Sequence, residues 1–273
     1  MEEITAEYSA NELKEAPALR CTLRLTVACK TDLGRVRENN EDKFEYFLSE
    51  DPASLATRGH VFLVCDGMGG HAAGQIASEL ACKTFIDVYL NHASPSASLA
   101  AEAAVQAANR YVFDIATTIP GRKGMGTTLS ALLLVQDQAI VAQVGDSRVY
   151  RLRATSFDCL THDHTWVDEA IRRGELTPDQ AATHPYRHVL TRAIGTEQSV
   201  TPDIFTHDVR EGDTFLLCSD GVMNHVSDDQ LKTIMEQNSP SRAAWKIVNA
   251  ALMDGGSDNT TVLVVRVDQV LPA

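Results

Sequence analysis

The chain has 273 residues, 44% of them hydrophobic, which suffices for a full core and does not force a split into two domains. Its formal charge of −13 has no basic stripe to offset it, which argues against nucleic acid or an anionic membrane as partner. Apolar runs such as Ala131 to Val135 fall far short of the ~20 residues of a membrane span, and the acidic start MEEITAEYSANELKEAP lacks the order of an export signal, so the cytoplasm is expected.

Residues 1 to 20 read as a polar lead-in closed by Pro17, and 21 to 273 as one domain. Cys21 to Cys29 alternates, with Leu23, Leu25 and Val27 on one face, and predicts a half-buried strand. Gly34 then makes a turn, Arg37 and the Glu41-Asp42 pair follow, and a second strand runs from Phe44 to Leu48. Glu50 to Gly59 is expected to be a loop. Val61 to Cys65 lacks alternation, the pattern of a strand covered on both faces, and it ends at Asp66 and a turn of Gly67, Gly69 and Gly70. Gly74 to Asn91 and Ser96 to Ala116 carry helical apolar spacing. A flexible turn, Gly121 to Gly126, leads to a hairpin of Thr128 to Val135 and Ala139 to Val144, and Val149 to Leu152 continues as a strand.

Asp163 to Gly195 breaks this pattern. It is polar, has His162, His164, His184 and His188 in or beside it, and starts a helix at Thr177-Pro178, so it reads as an insertion. Thr214 to Ser219 is the next strand, Ser227 and Gln230 form a capping box for Asp228 to Gln237, and Ser239-Pro240 opens the last helix. Thr261 to Val267 is the final strand. Hairpin-like connections with few βαβ units predict an α+β fold of antiparallel sheets covered by helices. The six cysteines show no CxxC spacing and read as reduced packing residues, not a zinc site.

Five acidic positions sit at predicted strand ends: Glu41-Asp42, Asp66, Asp146, Asp220 and Asp258. An Asp-Gly after one strand is most simply a turn; its recurrence suggests convergence. Carboxylates gathered in one cleft repel unless cations neutralise them, and an all-oxygen set suits Mg²⁺ or Mn²⁺. Two such ions serve in-line displacement at a phosphoryl group, for which Arg37 offers a bidentate fork. The plainer reading of Arg37 is a surface ion pair.

The strings TDLGRVRENNED, VCDGMGGH, GMGTTL, VGDSRVY, LTHDHT, LTRAIG, LLCSDG and SDNTTVLVV, in this order, resemble the motifs of metal-dependent protein phosphatases of the protein phosphatase 2C type, bacterial branch. The resemblance spans about Thr31 to Val267. It implies a four-layer α-β-β-α sandwich of two antiparallel sheets flanked by helices, with a flap over about 163 to 195. It also implies hydrolysis of phosphoserine and phosphothreonine in proteins by a hydroxide bridging two Mn²⁺ or Mg²⁺ ions.

By that similarity Asp66 bridges the metals and the Gly67 carbonyl binds one of them. Asp220 and Asp258 complete the other, Asp42 and Glu41 act mainly through metal-bound waters, and Asp146 with Asp220 holds a weaker third ion. Arg37 holds the phosphate, and with Asp66 and Asp220 makes the catalytic set. Met68 stands where many eukaryotic members place a histidine, and His71 nearby reads more simply as a helix cap than as a proton donor. The implied partners are phosphorylated proteins made by a Ser/Thr protein kinase, with the phosphatase a monomer. Alternatives are a catalytically silent phosphoprotein-binding regulator of the same fold, a phosphatase of an anti-sigma-factor antagonist, and a metal-dependent phosphodiesterase or nuclease. The first would be expected to have lost metal carboxylates, and the last fits poorly with a chain that has no basic groove.

Overall fold

Alternation along the central strands decides the architecture. The computed structural model describes residues 17–70 and 72–273. Residues 1–16 of the expected lead-in, and His71, lie outside the described residues.

One sheet is built, in spatial order, from β1 (Cys21–Asp32), β11 (Thr260–Pro272), β10 (Thr214–Cys218), β7 (Arg148–Arg153) and β8 (Ser156–Cys159). The other orders β2 (Asp42–Phe47), β3 (His60–Met68), β5 (Leu129–Val135), β6 (Gln138–Val144) and β9 (Asp203–Asp208), with the short β4 (Gly126–Thr127) pairing the end of β3. Every pairing is antiparallel.

The two sheets stack through one core, and helices cover their outer faces. In β3, Phe62 and Val64 point to the other sheet, while Val61, Leu63 and Cys65 point to α2 (Ala72–Asn91) and α3 (Ala97–Thr118). In β10, Phe215 and Leu217 join the core between the sheets, while Leu216 and Cys218 face α6 (Asp220–Met223), α7 (Asp228–Gln237) and α8 (Pro240–Met253). Each of these Val, Leu and Phe side chains stabilises the fold by about 1.5–3 kcal/mol on burial. A one-residue slip would exchange both faces, so the register is strongly specified. This α-β-β-α arrangement is the expected one, and Leu23, Leu25 and Val27 of β1 lie on the shared face as read.

Several elements depart from expectation. The loop read over Glu50 to Gly59 contains a short helix, α1 (Pro52–Thr57): Pro52 presets its first turn and the Asp51 side chain accepts the Ser54 amide proton at 2.8 Å. The edge strands β8 and β9 were not anticipated; their buried sides are short and partial. The polar insertion contains two helices, α4 (Trp166–Arg172) and α5 (Pro178–Ala182), and only the second was foreseen. Among the described residues no helix is long and apolar enough to cross a membrane.

Antiparallel pairing then does the work of assembly. Asp42 opens β2 directly opposite Asp66 near the end of β3. Val144, before Gly145-Asp146, pairs with Leu129, next to Thr128. Cys218, before Ser219-Asp220, pairs with Val262 near the start of β11. All five acidic positions thus arrive at one edge of the stacked sheets.

Candidate active site

At that edge lies a cleft of about 1090 Å³ lined by Arg37, Glu41, Asp66, Gly67, Asp146, Asp220 and Asp258, with Asn39, Met68, Thr128, Arg187, His188, Leu190, Asn224 and Asn259 around them. Asp42 lies just beneath, almost fully buried. Every predicted site residue that the structure describes therefore lies in or under one cavity.

The site is knitted by hydroxyl and amide side chains. The Thr128 hydroxyl accepts the Asp66 amide proton at 2.8 Å, and the Thr127 hydroxyl donates to the Asp66 carbonyl at 2.9 Å. Thr128 also meets the Ser147 hydroxyl at 2.7 Å, tying the Asp66 strand end to the Asp146 turn. Between the sheets, the Ser219 hydroxyl donates to Asp42 Oδ2 at 2.7 Å. Asn259 accepts the Glu41 amide proton at 2.8 Å and donates to the carbonyls of Leu33 and Asn39 at 2.9 and 3.0 Å, so it shapes the whole Arg37 loop. Thr127, Thr128, Ser147, Ser219 and Asn259 were not singled out from sequence as members of the site, although all five lie inside the quoted motif strings and Ser147, Ser219 and Asn259 adjoin acidic residues.

Gly67 is a place where only glycine fits. A Cβ there would lie 2.2 Å from the Gly74 carbonyl oxygen and 2.7 Å from that of Glu41. The strand end thus packs its bare backbone against the start of α2.

The electrostatics are those of crowded acids. Burial, then the charges of Asp42, Asp220 and Asp146, push the Asp66 carboxyl well above the usual range. Burial raises Asp42 to about 7, opposed by hydrogen bonds from Ser219 and Thr261. Burial and then Asp220 raise Asp146 to about 8, and burial and then Asp258 raise Asp220. Arg37 donates to Asp258 Oδ2 at 2.6 Å and stays about half exposed, so the guanidinium stands at the cleft with one carboxylate as partner.

Two carboxylate oxygens, Asp42 Oδ1 and Asp220 Oδ1, are buried with no hydrogen-bond partner among the described residues. Such atoms are costly unless something neutralises them. An all-oxygen cluster with raised proton affinities and orphaned oxygens fits a hard divalent cation. Among the described residues no three His, Cys, Asp or Glu side chains close into a cage of their own. The acids stand around the cleft instead, which suits an ion such as Mg²⁺ that keeps much of its water.

The histidines separate. His188 of the polar insertion lines the cleft, whereas His164 is fully buried and His184 stacks on Trp166 with ring centroids 4.7 Å apart.

Comparison with known proteins agrees with the geometry. The family model described as protein phosphatase 2C matches residues 35–253. The serine/threonine phosphatase stp of Listeria welshimeri is 37% identical over 245 residues, covering 87% of this chain and 94% of its own. The crystal structure of the serine/threonine phosphatase Stp1 from Staphylococcus aureus superposes with a TM-score of 0.84 at 27% identity, covering 94% of this chain and all of its own. The catalytic domain of the serine/threonine protein phosphatase PstP, solved in complex with two manganese ions, gives a TM-score of 0.77 at 33% identity over 92% of this chain and 100% of its own. The chain belongs to the protein phosphatase 2C family.

Proposed function

We propose that this protein is a Mn²⁺- or Mg²⁺-dependent serine/threonine phosphatase that hydrolyses phosphoserine and phosphothreonine in proteins. The observation that carries the reading is the delivery of Asp66, Asp146, Asp220 and Asp258 by both sheets to one cleft, where buried carboxylate oxygens lack partners among the described residues. Family membership and the manganese-bound PstP structure support it.

In this reading Asp66, the Gly67 carbonyl, Asp220 and Asp258 hold two divalent ions, and Asp42 and Glu41 shape their water shell. Asp146 with Asp220 serves a third, weaker ion. When bound, the ions supply charge neutralisation and an activated water for in-line attack on phosphorus. The chain's own residues do the rest. Arg37 forks toward the phosphate oxygens and orients the ester. Its bond to Asp258 keeps it poised at the cleft rim. Ser219 and Thr128 hold the Asp42 and Asp66 ends rigid, so little reorganisation accompanies reaction.

The substrates are taken to be proteins phosphorylated by a Ser/Thr kinase, met in the cytoplasm by a monomer. The net charge of −13 supports protein over nucleic acid as partner. A silent binding role is disfavoured because every acidic position of the family pattern is present. The test is hydrolysis of p-nitrophenyl phosphate and a phosphothreonine peptide with Mn²⁺, Mg²⁺ or chelator. Turnover only with metal supports the reading, and no turnover with either ion sinks it.

A further inference from the structure

The Asp146 wall of the cleft and the segment over it meet at one buried imidazole. His164 Nδ1 accepts the Gly145 amide proton at 3.1 Å. That leaves the ring proton on Nε2, which donates to Asp203 Oδ2 at 3.2 Å. The main chain of His164 is engaged as well: its amide donates to the Gly145 carbonyl at 2.9 Å and its carbonyl accepts the Thr191 amide proton at 2.8 Å.

Gly145 has little freedom to move. Gln143 donates to its carbonyl at 3.0 Å, and Thr128 Cγ2 lies 2.6 Å from where a Cβ would stand, at a φ of +100°. The only side-chain acceptor among the described residues for its amide is the His164 ring, so that ring sets the turn on which Asp146 is mounted. On the far side, Asp203 also accepts Arg192 Nη1 at 2.7 Å. Beside it Thr165 bridges Leu190, and the Trp166 amide donates to the Val189 carbonyl at 2.8 Å. This short ladder is the base of the segment that carries Arg187, His188 and Leu190 into the cleft.

We propose that His164 is a positioning residue that couples the Asp146 turn to the segment over the cleft, Nδ1 holding the turn and Nε2 holding Asp203, whose other oxygen takes Arg192 at the foot of that segment. The inference rests on the phosphatase reading for its effect on turnover, and on the bonds above for its geometry. What binds at Asp146 and what binds under Arg187 and His188 then influence each other reciprocally, because both press on the same ring.

Two substitutions separate the two bonds. In His164→Asn the shorter carboxamide keeps an acceptor near the Nδ1 position and loses Asp203. In His164→Gln the longer one reaches Asp203 and loses the Gly145 amide. Kinetics on a phosphothreonine peptide with Mn²⁺ are paired with hydrogen exchange on the metal-free protein and with thermal midpoints. His164→Gln is expected to lower kcat about tenfold to a hundredfold, the scale of a misplaced catalytic group, with KM little changed, and to speed exchange at 145–147. His164→Asn is expected to keep most of kcat and to speed exchange at 187–191 instead. Equal losses in both variants that follow their thermal midpoints would make His164 a packing residue and overturn the proposal. So would wild-type kinetics and exchange in His164→Gln. If the wild-type enzyme itself fails on the peptide with metal, the phosphatase reading falls, and the exchange pattern still decides the positioning role.

Discussion

Arg37 and Asp146 are the residues at which a catalytic role and a plain structural one diverge most. Arg37 is half exposed and paired with Asp258, the geometry of a surface ion pair of small worth on its own. Its place on the cleft rim gives it a second use. If it binds the phosphate, Arg37→Ala raises KM for a phosphothreonine peptide more than it lowers kcat, because binding common to ground and transition states is lost. Steady-state kinetics decide, and an unchanged KM returns Arg37 to the ion-pair role. Asp146 sits on a turn that an aspartate could cap for local reasons alone. Asp146→Ala is expected to leave the fold and the two tight ions intact while cutting hydrolysis of phosphoprotein. Calorimetric titration with Mn²⁺ alongside kinetics tests this, and wild-type turnover at limiting and saturating metal would reduce Asp146 to a turn residue.

Legibility differed sharply between these residues and their supports. Asp66, Asp146 and Asp220 were visible because each follows an apolar strand in a form that recurs along the chain. Thr128, Ser147, Ser219 and Asn259 were not, since their contribution is a hydrogen bond to backbone or side chain often far away in sequence, and a lone Thr or Asn has many uses. His164 and His188 look alike in sequence, yet one is buried under a turn and the other lines the cleft. Only tertiary packing separates them.

Elements that bury both faces were read correctly, and so were the edge strands β1 and β2, whereas the edge strands β8 and β9 were not. Val61 to Cys65 and Thr214 to Cys218 are saturated with apolar residues because helices cover one side and a sheet the other. The edge strand Asp203–Asp208 carries DIFTHD, whose polar side faces outward and weakens its signal. α1 was missed although Asp51-Pro52 is a cap followed by a first-turn proline, a start signal outweighed there by the polar surroundings. The loop between β1 and β2 has no regular structure and depends on Asn259 for its shape. Asn259→Ala should therefore strip one part-buried amide and two carbonyls of this partner and cost about 1–3 kcal/mol. Urea unfolding of the metal-free protein measures it. A midpoint equal to wild type would mean that the β1–β2 loop holds its shape without Asn259.

For the whole molecule, the acidic cluster links folding to pH. Asp42 and Asp146 are raised to about 7 and about 8 in the folded chain, chiefly by burial, against about 3.9 for a free aspartate. Between the two values the unfolded chain has released protons that the folded one still holds. Their contribution is therefore fully present below about pH 4, and stability falls as pH rises through 7 to 8. The metal-free protein is expected to show a thermal midpoint that declines between pH 5 and 8 on this account. Mn²⁺ should raise the midpoint most at the upper end, where the carboxylates are charged and bind it, because a ligand for the folded state stabilises it. Scanning calorimetry across that range, with chelator and with metal, checks both slopes. A flat metal-free profile would mean that burial and neighbouring charge do not raise Asp42 and Asp146 as described.

The central claim is that the carboxylates gathered at one edge of the two sheets make a metal-dependent hydrolytic site. It is tested most directly by stripping the protein with chelator and following phosphothreonine-peptide hydrolysis as Mn²⁺ is added back, for wild type and Asp66→Asn side by side. The account predicts negligible turnover without metal, full recovery in wild type, and a rate lower by orders of magnitude in Asp66→Asn at every metal concentration. Chelated protein that keeps its full activity, or an Asp66→Asn variant that matches wild type, would contradict it.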